Sequence, residues 1–147
     1  HTFIGLHEAE NSYFHRAMCA QDYSAVTAAC MMTKTEVFCQ AGGFTEELAV
    51  AFNDIDYCMK VRALGKLVVY APYAVMHHYE SKSRGLEDTP EKVARFNREV
   101  AIFARRWPDI LKNGDPYYNP NLTLRKSNFA LRDLLKEKIG EPYKLEV

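Results

Sequence analysis

The chain has 147 residues, with 19 basic and 19 acidic side chains and a formal net charge of zero. Apolar residues make up 48% and charged residues 26%, which is typical of a folded globular domain and excludes a disordered, collagen-like or coiled-coil chain. The balanced charge predicts no nucleic-acid partner. No apolar run approaches the roughly 20 residues that span a bilayer, and the first residues lack the pattern of a signal peptide.

Four cysteines are present, at Cys19, Cys30, Cys39 and Cys58. None forms a Cys-x-x-Cys pair, so a structural zinc site is not expected. Each lies among apolar neighbours, which predicts four small buried hydrophobic residues in a reducing compartment.

The apolar patterning predicts an α/β protein with a small mixed sheet flanked by helices. Residues 1–24 are predicted to form a loop or lid with at most a short helix. The remaining elements are, in chain order, a strand at 24–32 buried on both faces, a helix at 35–41, a loop at 44–52, a helix at 53–64, a strand at 67–70, extended chain at 74–77, a polar loop at 78–88, a long helix from 89, and an amphipathic helix at 129–139. So few strands indicate part of a larger α/β domain.

The longest predicted helix opens at Thr89-Pro90, since Thr is a favourable N-cap and Pro suits the first helical position. Its apolar residues recur at steps of three and four, which predicts one buried face. That face comprises Val93, Phe96, Val100, Phe103 and Trp107.

Two acids lie at the start of the predicted helix at 53–64. Asn53 is predicted to cap this helix, with Asp56 answering it as in a capping box. Asp56 also precedes Lys60 by four residues, which favours an ion pair on the helix surface. These two interactions give Asp56 a structural explanation.

Asp54 lacks such an explanation. At about 100° per residue it points away from Asp56 and towards the side that holds Cys58 and Val61. The positive end of the helix dipole favours its ionised form, and a carboxylate there can accept a proton from a substrate hydroxyl. An ordinary helix-start acid explains the residue equally well.

His77 and His78 follow an apolar strand, where α/β proteins often bind ligands. Imidazole is a good ligand for a divalent metal, but successive side chains of an extended backbone point to opposite sides, so one of the two is expected to face a site. The loop behind them carries Ser81, Ser83 and Arg84, which suit a phosphate or pyrophosphate. The alternative is a polar surface loop with one packed histidine.

Several motifs agree in order and spacing with one family. Thr-Ala-Ala-Cys stands at 27–30, Gly-Gly-Phe at 42–44, Asn-Asp at 53–54 and Asp-Pro-Tyr-Tyr-Asn-Pro-Asn-Leu-Thr at 115–123. From about residue 24 to residue 132, the sequence resembles the C-terminal half of family 2 glycosyltransferases with the GT-A fold, of the bacterial rhamnosyl and polysaccharide-synthesis type. It departs from the family pattern where Asn53 replaces the usual acid.

The resemblance implies roles for particular residues. Asp54 corresponds to the catalytic base of the family. A histidine that contacts the metal or the diphosphate in this family corresponds to His77 or His78. The metal would be Mg or Mn. The loop that would close over the donor diphosphate includes Ser81, Ser83 and Arg84.

The implied reaction is transfer of a sugar, with inversion, from a nucleotide-diphospho-sugar to a glycan or lipid-linked acceptor. Residues 24–88 would form the acceptor and catalytic-base half and residues 89–147 a helical tail. The Asp-x-Asp donor half of the family is missing, so the isolated chain is expected to be inactive and its open sheet edge to allow a homodimer. The expected location is the cytoplasm, at the inner face of the membrane. The alternative is a non-catalytic glycan- or protein-binding module.

Overall fold

A computed structural model describes residues 2, 3, 5–7, 12–79 and 89–137. Within these residues, two short strands pair and four α-helices form: β1 (Gln21–Asp22), α1 (Thr35–Gln40), α2 (Asn53–Ala63), β2 (Val69–Tyr70), α3 (Pro90–Arg106) and α4 (Pro108–Asn113). Two 3₁₀ helices, Tyr13–Met18 and Ala28–Cys30, precede α1. The combination of helices with a small sheet is compatible with the predicted α/β class, although the sheet is antiparallel and has two strands, not mixed.

The start of α3 and the end of α1 lie where local chemistry predicts. At α3 the Thr89 hydroxyl accepts a hydrogen bond from the Lys92 amide at 3.4 Å, and Pro90 occupies the first turn. Beyond α1, Gly42 and Gly43 adopt φ of 74° and 63°, a left-handed conformation that costs glycine little and stops the helix. The predicted helices at 35–41, 53–64 and from 89 are therefore confirmed.

The strand predicted at 24–32 is wrong. The pairing of β1 with β2 ends at the hydrogen bond from the Tyr23 amide to the Val68 carbonyl, at 2.9 Å. Beyond it the Thr27 hydroxyl accepts the Ala29 amide at 3.3 Å, and the chain turns into the short 3₁₀ helix. A hydroxyl that bonds its own backbone competes with strand pairing, and Ala28–Cys30 are exposed as a result.

The extended segments around β2 are also shorter than predicted. Of the strand predicted at 67–70, Val69–Tyr70 pair with β1, and the chain at 74–77 is irregular. The polar loop predicted at 78–88 lies outside the described residues from position 80 onward.

The helix predicted at 129–139 is wrong over the part described, which ends at residue 137. Phe129 has a φ of 57°, which a right-handed helix does not allow. The Asn128 and Asp133 side chains accept backbone amides two residues ahead, of Ala130 and Leu135, and such local bonds favour turns over helix. Leu131 instead forms a β-bridge with Leu122.

Among the described residues, apolar side chains pack together in three groups. The first surrounds α2 and comprises Tyr57, Cys58, Val61 and Val68, with α1 and the residues before it packed against them. In the second, the rings of Tyr13 and Tyr118 lie against Phe129 at 5.3 and 5.9 Å between centroids. In the third, the Phe52 ring before α2 packs against the rings of Phe96 and Phe103 on α3.

The cysteines do not share one environment. Cys58 is buried in the first cluster, whereas the other three are exposed, contrary to the prediction of four buried residues. Burial raises the pKa of the Cys58 thiol, and the charge of nearby Asp54 raises it further. All four are free thiols.

Candidate functional site

The candidate site lies at the N-terminal end of α2. Asp54 is half-buried in the first turn of that helix, and its two oxygens accept different amides. Oδ2 accepts the Ala28 amide at 3.1 Å, and Oδ1 accepts the Ile55 amide at 2.9 Å. An ionised carboxylate offers about four acceptor positions, so about two remain for further hydrogen-bond donors.

The contact between Asp54 and Ala28 joins two motifs that are 26 residues apart in sequence. The Gly-Gly-Phe motif reaches the same helix, because the Lys60 ammonium donates to the Gly43 carbonyl at 3.0 Å and the Phe44 ring lies 5.2 Å from the Tyr57 ring. Three separate motifs therefore meet on α2.

Asp56 is fully buried, with 0% of its surface exposed, and it is held by several donors. Its Oδ1 accepts Arg106 Nε and Trp107 Nε1, both at 2.8 Å, while Oδ2 accepts the Thr45 hydroxyl at 2.6 Å. Lys60 Nζ lies 3.4 Å from Oδ2, so the predicted ion pair forms, but at a buried carboxylate and not on the helix surface. Asp56 and these four donors form what we term the Asp56 network.

The predicted capping box is wrong. Phe52 is the N-cap residue of α2, and the Asn53 side chain accepts the adjacent Asp54 amide at 2.7 Å. Asp56 is turned into the interior, where Arg106 and Trp107 at the end of α3 offer stronger partners than the free amide of a capping box. Burial alone would raise the pKa of Asp56, but the hydrogen bonds from Thr45, Trp107 and Arg106 outweigh it and the pKa is lowered.

Glu99 is a buried acid that the sequence analysis missed. It is 2% exposed on α3, and its Oε2 accepts the Ala51 amide at 2.7 Å. Of the predicted apolar face, Phe103 is buried but Val93 is not, and Glu99 lies between Phe96 and Phe103 on that face. An acid at helical spacing within an apolar stripe was the available signal.

His77 and His78 both lie on the exposed stretch that follows β2. Within the described parts of the chain, no three His, Cys, Asp or Glu side chains are grouped closely enough to hold a metal ion. The described residues thus do not make a divalent-metal site on their own, and we derive no chemical step through a metal. Ser81, Ser83 and Arg84, which the resemblance assigns to the loop over the donor diphosphate, lie outside the described residues.

The site thus belongs to a mixed α and β chain with an acidic helix start held against the Thr-Ala-Ala-Cys motif. The sequence is 55% identical over 120 residues to the uncharacterized protein y4gI of Sinorhizobium fredii (strain NBRC 101917 / NGR234), covering 81% of this chain and 13% of that protein. It is 36% identical over 112 residues to the O-antigen biosynthesis protein RfbC of Myxococcus xanthus, covering 76% of this chain and 8% of that protein. The chain thus spans a small part of the length of either relative. No family model and no solved structure matches the sequence.

Among the residues described, no helix is both long and apolar enough to cross a membrane.

Proposed function

We propose that this chain forms the acceptor side of a glycosyltransferase that acts in bacterial surface-polysaccharide synthesis, with Asp54 as the catalytic base. The similarity to an O-antigen biosynthesis protein supports the polysaccharide role. The single observation that carries the site assignment is the hydrogen bond from the Ala28 amide to Asp54, because it brings the two motifs of the resemblance to one carboxylate.

In the proposed reaction the acceptor hydroxyl oxygen forms a bond to the anomeric carbon of the donor sugar from the face opposite the leaving group. The bond between that carbon and the diphosphate oxygen breaks, and the nucleoside diphosphate leaves with the electron pair. The hydroxyl proton passes to Asp54. The Ala28 and Ile55 amides fix the carboxylate without using its full acceptor capacity, which suits a general base.

The donor side of the proposal rests on the resemblance. Ser81, Ser83 and Arg84 would contact the donor diphosphate, and either His77 or His78 would contribute one ligand to Mg or Mn. We expect Arg84→Ala to weaken the binding of UDP measured by calorimetry, and unchanged binding would remove Arg84 from the donor site. A lipid-linked acceptor, association with the inner face of the membrane and a homodimer stay predictions.

The test is Asp54→Asn in the protein that the natural gene encodes. Asparagine keeps an oxygen that accepts the Ala28 amide, so the fold should persist while proton acceptance is lost. We expect the transfer rate to fall by about 10²- to 10⁴-fold. UDP-glucose, GDP-mannose and dTDP-rhamnose would be screened with a membrane extract as acceptor, and the donor that the unaltered protein uses would serve for the variants.

The matched control is Asp109→Asn, which removes the same charge from an exposed position on α4. Transfer by this variant should stay within about twofold, since it touches neither α2 nor the proposed acceptor. If Asp54→Asn is as active as the control, Asp54 is not the base. Glycan binding without any sugar transfer by the unaltered protein would instead support a binding module.

A further inference from the structure

Glu99 is a buried carboxylate that the proposed chemistry does not use. Burying an acid destabilises the fold unless the acid is hydrogen-bonded. Glu99 Oε2 accepts a hydrogen bond from one backbone amide, that of Ala51, at 2.7 Å. Arg95, one turn earlier on α3, lies 3.9 Å from the other oxygen. The carboxylate thus ties α3 to the residue three positions before Asp54.

Phe52 lies between Ala51, which bonds Glu99, and Asp54, and its backbone is conformationally strained. Phe52 has φ 63° and ψ 2°, in the left-handed region, and it is the N-cap residue of α2. For a bulky residue this conformation is unfavourable, and it persists only where the surrounding structure enforces it. The left-handed conformation of Phe52 must therefore be held by neighbouring residues.

These neighbouring residues lie on one face of α3. The Phe52 ring packs against Phe96 at 5.7 Å and against Phe103 at 5.2 Å between centroids. Glu99 stands between these two rings at helical spacing and holds the preceding amide. We term Phe96, Glu99 and Phe103 the α3 clamp.

The clamp and the Asp56 network hold the two sides of Asp54. Before Asp54, the clamp fixes Ala51 and Phe52, and after it Asp56 is bonded to Arg106 and to Trp107 directly beyond α3. Since both anchors belong to the same stretch of chain, they oppose rotation of the start of α2 relative to α3. Because Asp54 lies between the two anchors, we expect such a rotation to disturb its contact with the Ala28 amide.

We propose that Glu99 is a positioning residue, which holds the Ala51 amide and the left-handed turn at Phe52 so that the Asp54 carboxylate is aimed at its substrate. The catalytic part of this inference rests on the proposed function of Asp54. The geometric part, that Glu99 controls the contact between Asp54 and Ala28, does not.

The experiment compares Glu99→Ala and Glu99→Gln in the protein that the natural gene encodes. Alanine removes the acceptor, whereas the glutamine amide oxygen can still accept the Ala51 amide. We expect Glu99→Ala to lower kcat by about 10- to 100-fold, because a misplaced base is ineffective. KM for the donor should change by less than about threefold, and Glu99→Gln should restore kcat to within about threefold.

Leu122→Ala is the control for general destabilisation, because Leu122 is buried near the C-terminal end of the described chain and its backbone bridges Leu131. It should lower stability while leaving kcat at working temperature within about twofold. Amide hydrogen exchange gives a second readout that needs no turnover. Exchange at Ala28 should accelerate at least about tenfold in Glu99→Ala beyond any change in global stability, and should not do so in the control.

The results separate the two proposals. If kcat is unchanged in Glu99→Ala while Asp54→Asn lowers transfer as expected, the positioning role of Glu99 is overturned and Asp54 remains the base. Failure of Glu99→Gln to rescue, an equal loss of kcat in Leu122→Ala, or unaltered exchange at Ala28 also overturns it. If Asp54→Asn stays active while exchange at Ala28 still depends on Glu99, the proposed function fails and the geometric inference stands.

Discussion

Replacing Asp56 should be among the most destabilising single changes in this chain. The residue is fully buried and accepts three hydrogen bonds no longer than 2.8 Å, two of them from Arg106 and Trp107. In Asp56→Ala these donors lose their shared acceptor, and removing one partner of a buried charged pair costs about 3–5 kcal/mol. Because the Arg106 side chain is 35% exposed and can reach water, the loss should lie near the lower limit, at about 3 kcal/mol.

Asp56→Asn should be milder. The amide oxygen can still accept hydrogen bonds from Arg106 and Trp107. The amide nitrogen would face Thr45 and Lys60. The Thr45 hydroxyl can rotate to accept a hydrogen bond from this nitrogen, but the Lys60 ammonium cannot. We expect a loss of about 2 kcal/mol, since the charge is removed but the Oδ1 contacts are kept. At roughly 2–4 °C per kcal/mol for a chain of this size, the melting temperature should fall by about 4–8 °C.

The assay follows urea unfolding by circular dichroism and by tryptophan fluorescence. Trp107 is the sole tryptophan of the chain and donates directly to Asp56, so its emission reports on the Asp56 network itself. Asp109→Asn, on the exposed side of α4, is the control and should cost less than about 1 kcal/mol. A loss in Asp56→Ala as small as that of the control would refute the reasoning.

The same network gives a pH dependence of known sign. The pKa of Asp56 is lower in the folded protein than its ordinary value of 3.8, so the folded state favours the ionised form. Its contribution is complete above the unfolded pKa and is lost as the pH falls through the folded one. The stability difference between the unaltered protein and Asp56→Asn should be constant from about pH 5 to pH 7 and should shrink below about pH 4. A difference that grows on acidification would contradict the assignment.

Two further predictions concern the cysteines and a glycine pair. Cys58 should react with a thiol reagent such as DTNB only on unfolding, because it is buried and its pKa is raised. Three thiols should react in the native protein, those of Cys19, Cys30 and Cys39; four fast thiols would contradict the burial of Cys58. Gly43→Ala should cost about 2–3 kcal/mol in urea unfolding, since the added Cβ would lie 3.2 Å from the Phe38 ring at a left-handed φ. Gly42→Ala has the same backbone strain but no atom within 4 Å, so it should cost about 1 kcal/mol, and equal losses would show that the ring contact does not matter.

The sequence was a good guide where the determining interaction is local. Helices α1, α2 and α3 are bounded by glycines, by proline or by a threonine cap, and all three lie where these residues predict. The strand predictions failed because a strand needs a partner that is distant in sequence. The hydrogen-bonded pairing ends at Tyr23, before the apolar run at 24–32 begins. The predicted C-terminal helix failed because Asn128 and Asp133 hydrogen-bond to the backbone nearby, which apolar periodicity does not register.

For the candidate site, the sequence pattern singled out Asp54 as a catalytic base, and that role stays a prediction. The structure adds the contact of Asp54 with Ala28, which is 26 positions away and could not be predicted from the helix sequence alone. Asp56 was interpreted as a surface residue because capping boxes and ion pairs at four-residue spacing are common. Its burial depends on Arg106 and Trp107, about 50 residues later, so the sequence alone could not separate the two roles.

The three acids around α2 illustrate a division of labour that follows from burial. Asp56 and Glu99 are almost completely buried, and their carboxylates accept hydrogen bonds from donors within the chain, so neither can approach a substrate. Asp54 is half-buried, is held by two amides and keeps acceptor capacity towards solvent. A general base has to be both accessible and accurately aimed, and on a short helix start these demands conflict because side chains that face water are poorly fixed. In the proposed mechanism, two buried carboxylates orient the start of α2 and the third accepts the proton, which would meet both demands. For this reason we expect α3, far from Asp54 in sequence, to influence kcat.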